Sequence, residues 1–135
     1  DFSFAGLKTA VLTQVRKLGD QLGPHQADLA ASTEAAIVEV LVKKSLRALE
    51  QTRLQALVVA GGVGANRRLR EQLNLACAQR NVRVHYPELE LCSDNGAMIA
   101  MAAAMRLQSG VQQPTRHYGF DVKPRWSLDS MVAPV

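Results

Sequence analysis

The sequence predicts an α/β fold, helix-rich and organised around one short parallel βαβ unit, and three observations predict it. Apolar residues recur at three- and four-residue steps through the first part of the chain, the period of a helix face. The period then gives way to two short apolar runs, Leu54 to Ala60 and Val82 to His85, as expected of strands. A helical stretch lies between those runs, so the order strand, helix, strand makes a parallel pair joined by a right-handed crossover.

Leu7, Val11, Leu12, Val15 and Leu18 mark one face of an amphipathic helix over residues 4–18, ended by Gly19 and Gly23-Pro24. Residues 26–51 put Leu29, Thr33, Ile37, Val40, Leu41 and Leu49 on one side and Lys43, Lys44, Arg47 and Glu50 largely elsewhere, which predicts a long helix. The run Leu54 to Ala60, stopped by Gly61-Gly62, is expected to be a buried parallel strand. Residues 65–79 then form a helix with Leu69, Leu73 and Ala76 inward, and residues 82–85 a second strand ended by Pro87. After a loop over residues 88–93, Asp94-Asn95 open an alanine- and methionine-rich helix to about Leu107, closed by Ser109-Gly110. Its Met98, Met101 and Met105 stripe is expected in the core, because methionine fills irregular gaps. Beyond Gln112 the periodicity dissolves, and residues 113–135 are expected to run as an extended C-terminal strap anchored by Tyr118, Phe120, Trp126 and Leu128.

A length of 135 residues with 47% hydrophobic content suffices for one core. The expectation is a single partial domain over residues 1–135, since the chain starts without methionine and reads as a piece of a longer polypeptide. Sixteen Lys and Arg against twelve Asp and Glu permit contact with a polyanion without requiring it. Two isolated cysteines, Cys77 and Cys92, argue against a disulfide framework or a thiolate zinc site and fit a reducing cytoplasm. No run approaches the roughly 18 apolar residues that span a bilayer, and the first residues lack the layout of a signal peptide, so no membrane partner is expected.

Three stretches are candidates for chemistry. Gly61-Gly62-Val63-Gly64-Ala65-Asn66 sits between a strand and a helix, where glycines let a ligand approach the backbone and the helix start offers unpaired N–H groups. Its spacing is not that of the dinucleotide fingerprint, and no acidic residue follows at the distance that would hold a ribose. The structural alternative is a glycine turn with Asn66 as a helix cap. In Cys92-Ser93-Asp94-Asn95, Asp94 stands at a helix mouth after the second strand, where it either holds a metal or phosphate or serves as an N-cap worth about 1 kcal/mol. Ligands gather at the carboxyl ends of parallel strands, so the glycine loop and Asp94 are expected to face one cleft. His25, His85 and His117 show no paired spacing that would complete a metal site. The basic run Arg67-Arg68-Leu69-Arg70, with Arg80 and Arg83, is either a phosphate-contacting patch or a solvated helix face, and it lacks aromatics for base stacking.

Three segments, in order and spacing, resemble signatures of the tRNA adenosine threonylcarbamoyltransferase (TsaD) family. They are Asp1-Phe2-Ser3-Phe4-Ala5-Gly6-Leu7-Lys8-Thr9, Val59-Ala60-Gly61-Gly62-Val63-Gly64-Ala65-Asn66-Arg67, and Cys92-Ser93-Asp94-Asn95-Gly96-Ala97-Met98-Ile99-Ala100. Gly64, where alanine is common, is a mild departure. The resemblance implies an actin-like ATPase (ASKHA) superfamily fold of two lobes, with this chain forming most of the second, C-terminal lobe. It implies that Asn66 contacts threonylcarbamoyl-adenylate, with Gly61 and Gly62 shaping that pocket. Asp94 is implied to ligate one divalent metal ion, iron or alternatively zinc, with histidines outside this chain. The implied reaction transfers the threonylcarbamoyl group to the exocyclic amine of an adenosine in the tRNA anticodon loop. A paralogous subunit and a small ATPase are the implied partners, and a segment without the first lobe is expected to be inactive alone. No catalytic residue is assigned.

Two other functions compete with this one. A metal-dependent glycoprotease, the label the family has carried, needs a general base beside its metal, and no glutamate stands at a suitable spacing from Asp94. A noncatalytic assembly platform would have no need of the Asn66 and Asp94 motifs.

Overall fold

The computed structural model describes residues 2–117, 119 and 127. Its described elements run α1 (Ala5–Leu18), α2 (Leu22–Thr52), β1 (Ala56–Val58), α3 (Arg67–Ala78), β2 (Arg83–His85) and α4 (Gly96–Gln108), with short 3-10 turns at Gly19–Gln21, Gly62–Ala65 and Leu89–Leu91. The chain is thus a helix-rich α/β protein with a short parallel pair of strands. It divides into two units, residues 1–92 and 93–135.

In the first unit, Leu7, Val11, Val15 and Leu18 of α1 are half-buried along one stripe, while Leu12, expected on that stripe, is exposed. Gly19 at φ +48 ends α1. Gly23-Pro24 do not: they lie in the first turn of α2, which starts at Leu22. The first four N–H groups of a helix have no intrahelical acceptor, so proline, which lacks that hydrogen, costs nothing there. Helix α2 ends at Arg53, which takes left-handed φ/ψ of 57 and 25 and whose N–H returns to the Leu49 carbonyl at 2.8 Å.

Strands β1 and β2 pair in parallel with Ala56 opposite Arg83, Leu57 opposite Val84 and Val58 opposite His85. The core forms where α2 and α3 meet this pair: Val38, Leu69 and Leu73 are buried, with Leu41, Val42, Leu57 and Val59 packed against them. Cys77 at the end of α3 is fully buried, and Ala76 is half-buried. The expectation of a strand buried on both faces fails, for Val58 is 72% exposed and Leu54 60%. Side chains alternate across a strand, and the core helices take Leu57 and Val59, leaving Val58 on the opposite face.

In the second unit, α4 opens with Asn95 as its cap and closes at Ser109, followed by Gly110 at φ +71. Met98, Met101 and Met105 are exposed rather than core. The unit has no other described helix or strand for the stripe to pack against. The anchors Tyr118, Phe120, Trp126 and Leu128 lie outside the described residues, as does most of the expected strap. No described helix is long and apolar enough to cross a membrane.

Candidate functional site

The glycine loop begins three residues after the end of β1. Gly61 has φ +86 and ψ 169, a region that only glycine occupies without strain. The turn that follows is closed by Gly64 N–H to the Gly61 carbonyl at 2.8 Å and Asn66 N–H to the Val63 carbonyl at 3.0 Å. Gly64 is buried, and a Cβ there would meet the Val59 carbonyl at 3.5 Å, an ordinary contact, so alanine would fit. Gly62 is different. It has no positive φ, it is exposed, and nothing lies within 4 Å of where its Cβ would stand. The local packing does not call for glycine at 62, and the bare backbone leaves room beside the loop.

Asn66 caps α3, its Oδ1 accepting from the Leu69 N–H at 2.8 Å. That bond fixes which side-chain atom is oxygen, because a backbone donor needs an acceptor. Nδ2 is thereby turned to donate to Glu34 Oε1 at 2.7 Å, and Glu34 in turn lies 3.9 Å from Arg68. Asn66 therefore does perform the capping role open to it from sequence. A primary amide carries two N–H groups and two lone pairs, so one of each stays available to a ligand. Beside it runs a groove of about 970 Å³, walled by Val11 and Val15 of α1, Leu29 and Ile37 of α2 and Val63, with Glu34 and Asn66 among its polar groups. Mostly apolar walls with a few fixed polar groups are the usual make-up of a small-molecule site.

The basic run separates into different roles. Arg67 and Arg68 are exposed, and Arg80 lies 3.8 Å from Glu50. Arg70 is half-buried and turned inward: Nε donates to the Gly64 carbonyl at 2.6 Å, and Nη2 to the Pro87 carbonyl at 3.2 Å and Cys92 Sγ at 3.4 Å. Its guanidinium stacks 4.6 Å from the centre of the Tyr86 ring, whose hydroxyl donates to Asn74 Oδ1 at 3.0 Å. Arg70 is spent on the protein itself and does not belong to a phosphate-binding face.

Asp94 lies in the second unit, and it is not the cap of α4. Asn95 is, with Oδ1 accepting from Met98 N–H at 3.1 Å and Nδ2 donating to the Ser93 carbonyl at 2.9 Å. Asn95 takes extended φ/ψ of −151 and 158, the conformation a cap requires, and so displaces its neighbour from that role. The Asp94 carboxylate is exposed and has no partner among the described residues. A lone carboxylate is not a metal site, and no three His, Cys, Asp or Glu side chains gather among the described residues. These residues by themselves do not fit a bound metal.

Glu34 and Tyr86 carry no functional signal in the sequence, and Arg70 carries only that of a basic run. Glu34 is 32 positions from Asn66, and nothing local marks it as the amide's partner. Arg70 was visible only as one of several arginines; its position next to buried Leu69, at the edge of the apolar stripe, was the available signal.

The sequence model of the TsaD family, described as tRNA N6-adenosine threonylcarbamoyltransferase, matches residues 1–101. The chain belongs to this family. It is 77% identical over 132 residues to a tRNA N6-adenosine threonylcarbamoyltransferase of Acidovorax sp. (strain JS42), covering 98% of this chain and 38% of that relative. It is 74% identical over 133 residues to the protein of the same name from Variovorax paradoxus (strain S110), with 98% and 38% covered. Against the Verminephrobacter eiseniae (strain EF01-2) protein, also of that name, identity is 77% over 128 residues, with 95% and 37% covered. The chain thus spans about 38% of the length of the curated relatives it matches. The matched residues include the glycine loop, Asn66 and Asp94.

Proposed function

We propose that this chain is the C-terminal portion of an enzyme that transfers a threonylcarbamoyl group from threonylcarbamoyl-adenylate to the exocyclic amine of an adenosine in the anticodon loop of tRNA. The observation that carries the reading is the 77% identity, over nearly the whole chain, to a relative named for that transfer. The amine attacks the carbamoyl carbonyl carbon, a C–N bond forms as the bond from that carbon to the phosphate oxygen breaks, adenosine monophosphate leaves with the electron pair, and the amine gives up a proton to solvent.

The chain's part in this is to hold the donor. Gly62 leaves its backbone bare to a ligand, Gly61 supplies the turn that presents it, and the free N–H and lone pair of Asn66 address the adenylate over the apolar groove. Asp94, whose carboxylate is not consumed by capping, is the one ligand this chain would give a divalent metal, iron or zinc, with histidines from outside it. The fold in this reading is the second lobe of an actin-like ATPase architecture, with the first lobe closing the site and excluding water. The chain alone is then inactive. Partner contacts with a paralogous subunit and a small ATPase belong to the whole enzyme, in the cytoplasm.

The test is complementation of a strain lacking the enzyme by the full-length gene carrying Asn66→Ala or Asp94→Ala, with threonylcarbamoyladenosine in tRNA read by mass spectrometry. Loss of the modified nucleoside in both is expected. Undiminished modification in both would remove these site assignments.

A further inference from the structure

We infer that Arg70 is a positioning residue that locks the donor loop onto the turn after β2, an inference that rests on the reading of that loop given above. The guanidinium stands between two segments, residues 61–66 and 87–92, that share no backbone hydrogen bond. On one side Nε holds the Gly64 carbonyl, inside the loop that carries Gly61, Gly62 and Asn66. On the other, Nη2 holds the Pro87 carbonyl and the Cys92 sulfur, at the two ends of the turn Leu89–Leu91.

The arrangement is fixed from several directions. A long side chain on a helix points back toward the helix N-terminus, which brings Arg70 over the turn that precedes α3. The Tyr86 ring covers one face of the guanidinium, and the Tyr86 hydroxyl, held by Asn74, keeps the ring there. Cys92 is 2% exposed, and its thiol donates to the Glu88 carbonyl at 3.4 Å, so the sulfur's lone pairs are turned to Arg70. A planar fork with donors at fixed angles serves both segments at once, which a lysine ammonium on a flexible stem does not. The carbonyl of Gly64 is thereby fixed, and the backbone at Gly62 and the side chain of Asn66 lie two residues to either side of it. Cys92 is also the last residue before Ser93 and Asp94 in the chain.

The experiment uses the full-length enzyme with Arg70→Met and Arg70→Lys, the second serving if the first does not fold, and Asn66→Ala as reference. Hydrogen exchange is read at four amides that are hydrogen-bonded within the two segments: Gly64 and Asn66 in the loop, Leu91 and Cys92 in the turn. Losing charged hydrogen bonds predicts that exchange at all four rises together, roughly tenfold or more, while amides in α2 hold. Acceleration in one segment only, or in neither, would overturn the clamp. Affinity for threonylcarbamoyl-adenylate is measured alongside. A positioning role predicts a donor Kd weakened about tenfold in Arg70→Met, less in Arg70→Lys, among folded molecules. A Kd unchanged in both, while Asn66→Ala weakens it, would reduce Arg70 to a structural part. A Kd unchanged in Asn66→Ala as well would instead overturn the assignment of the loop to the donor, and the clamp would be judged by exchange alone.

Discussion

Gly61 and Gly62 are adjacent in sequence, yet the structure predicts opposite consequences for replacing them with alanine. At Gly61, φ +86 and ψ 169 place the residue in a region that costs a side-chain-bearing residue about 1–3 kcal/mol. Alanine also restricts the unfolded chain, which returns about 0.4–1 kcal/mol. The net expectation for Gly61→Ala is a loss of about 1.3 kcal/mol, the centre of a difference that runs from roughly 0 to 2.6 kcal/mol. At Gly62 the strain is missing and no atom stands within 4 Å of the new methyl, so only the unfolded-state effect remains, a gain of about 0.4–1 kcal/mol. Urea unfolding of the 135-residue chain, followed by circular dichroism, reads both. With a denaturant slope of about 2 kcal/mol per molar, the midpoint falls by about 0.6 M for Gly61→Ala and rises by about 0.2–0.5 M for Gly62→Ala. Donor binding to the full-length enzyme supplies the second half of the argument. A methyl group added where a ligand lies against bare backbone costs about 1–3 kcal/mol, so Gly62→Ala should bind threonylcarbamoyl-adenylate about fivefold or more weakly. If Gly62→Ala lowers the midpoint as much as Gly61→Ala, the geometric reasoning is wrong. If it is stable and binds the donor normally, the glycine has no ligand to explain it.

Asn66→Ala should destabilise the chain by about 1 kcal/mol through loss of the α3 cap. Asn66→Asp keeps the cap but sets a carboxylate against Glu34, so its urea midpoint should recover when Glu34→Gln is added and not otherwise. Arg53→Gly relieves a left-handed residue at the end of α2, and thermal melting should show it neutral to about 1 kcal/mol more stable. Burial pushes the Cys77 thiol above its ordinary 9.0. The unfolded thiol ionises first as pH rises, so this contribution is intact below pH 9 and shrinks above it. Cys77→Val should flatten that alkaline decline in urea midpoints, and native Cys77 should resist iodoacetamide at neutral pH until the chain unfolds.

Periodicity determined the element order and much of the packing by itself. The spacing of Leu69 and Leu73 marked the inward face of α3, because a helix repeats its geometry every few residues and the sequence carries that repeat; in α2 the stripe named Leu41 but left out Val38 and Val42, which join the core, while Leu29 and Ile37 line the groove. The conformational demand of the glycine loop and the capping capacity of Asn66 were legible for the same reason: both act within a few residues along the chain.

What acts across the chain was not legible. Which of Asp94 and Asn95 caps α4 turns on a single φ/ψ pair, and either residue type suits the role. Val58 and the methionines of α4 read as core from their hydrophobicity, but burial depends on what packs against a face, which composition does not specify. Arg70 is the sharpest case. One of a run of arginines in sequence, it becomes the bridge between two loops because folding brings the Gly64 and Pro87 carbonyls and the Cys92 sulfur within reach of one guanidinium, a coincidence of places that no local pattern encodes.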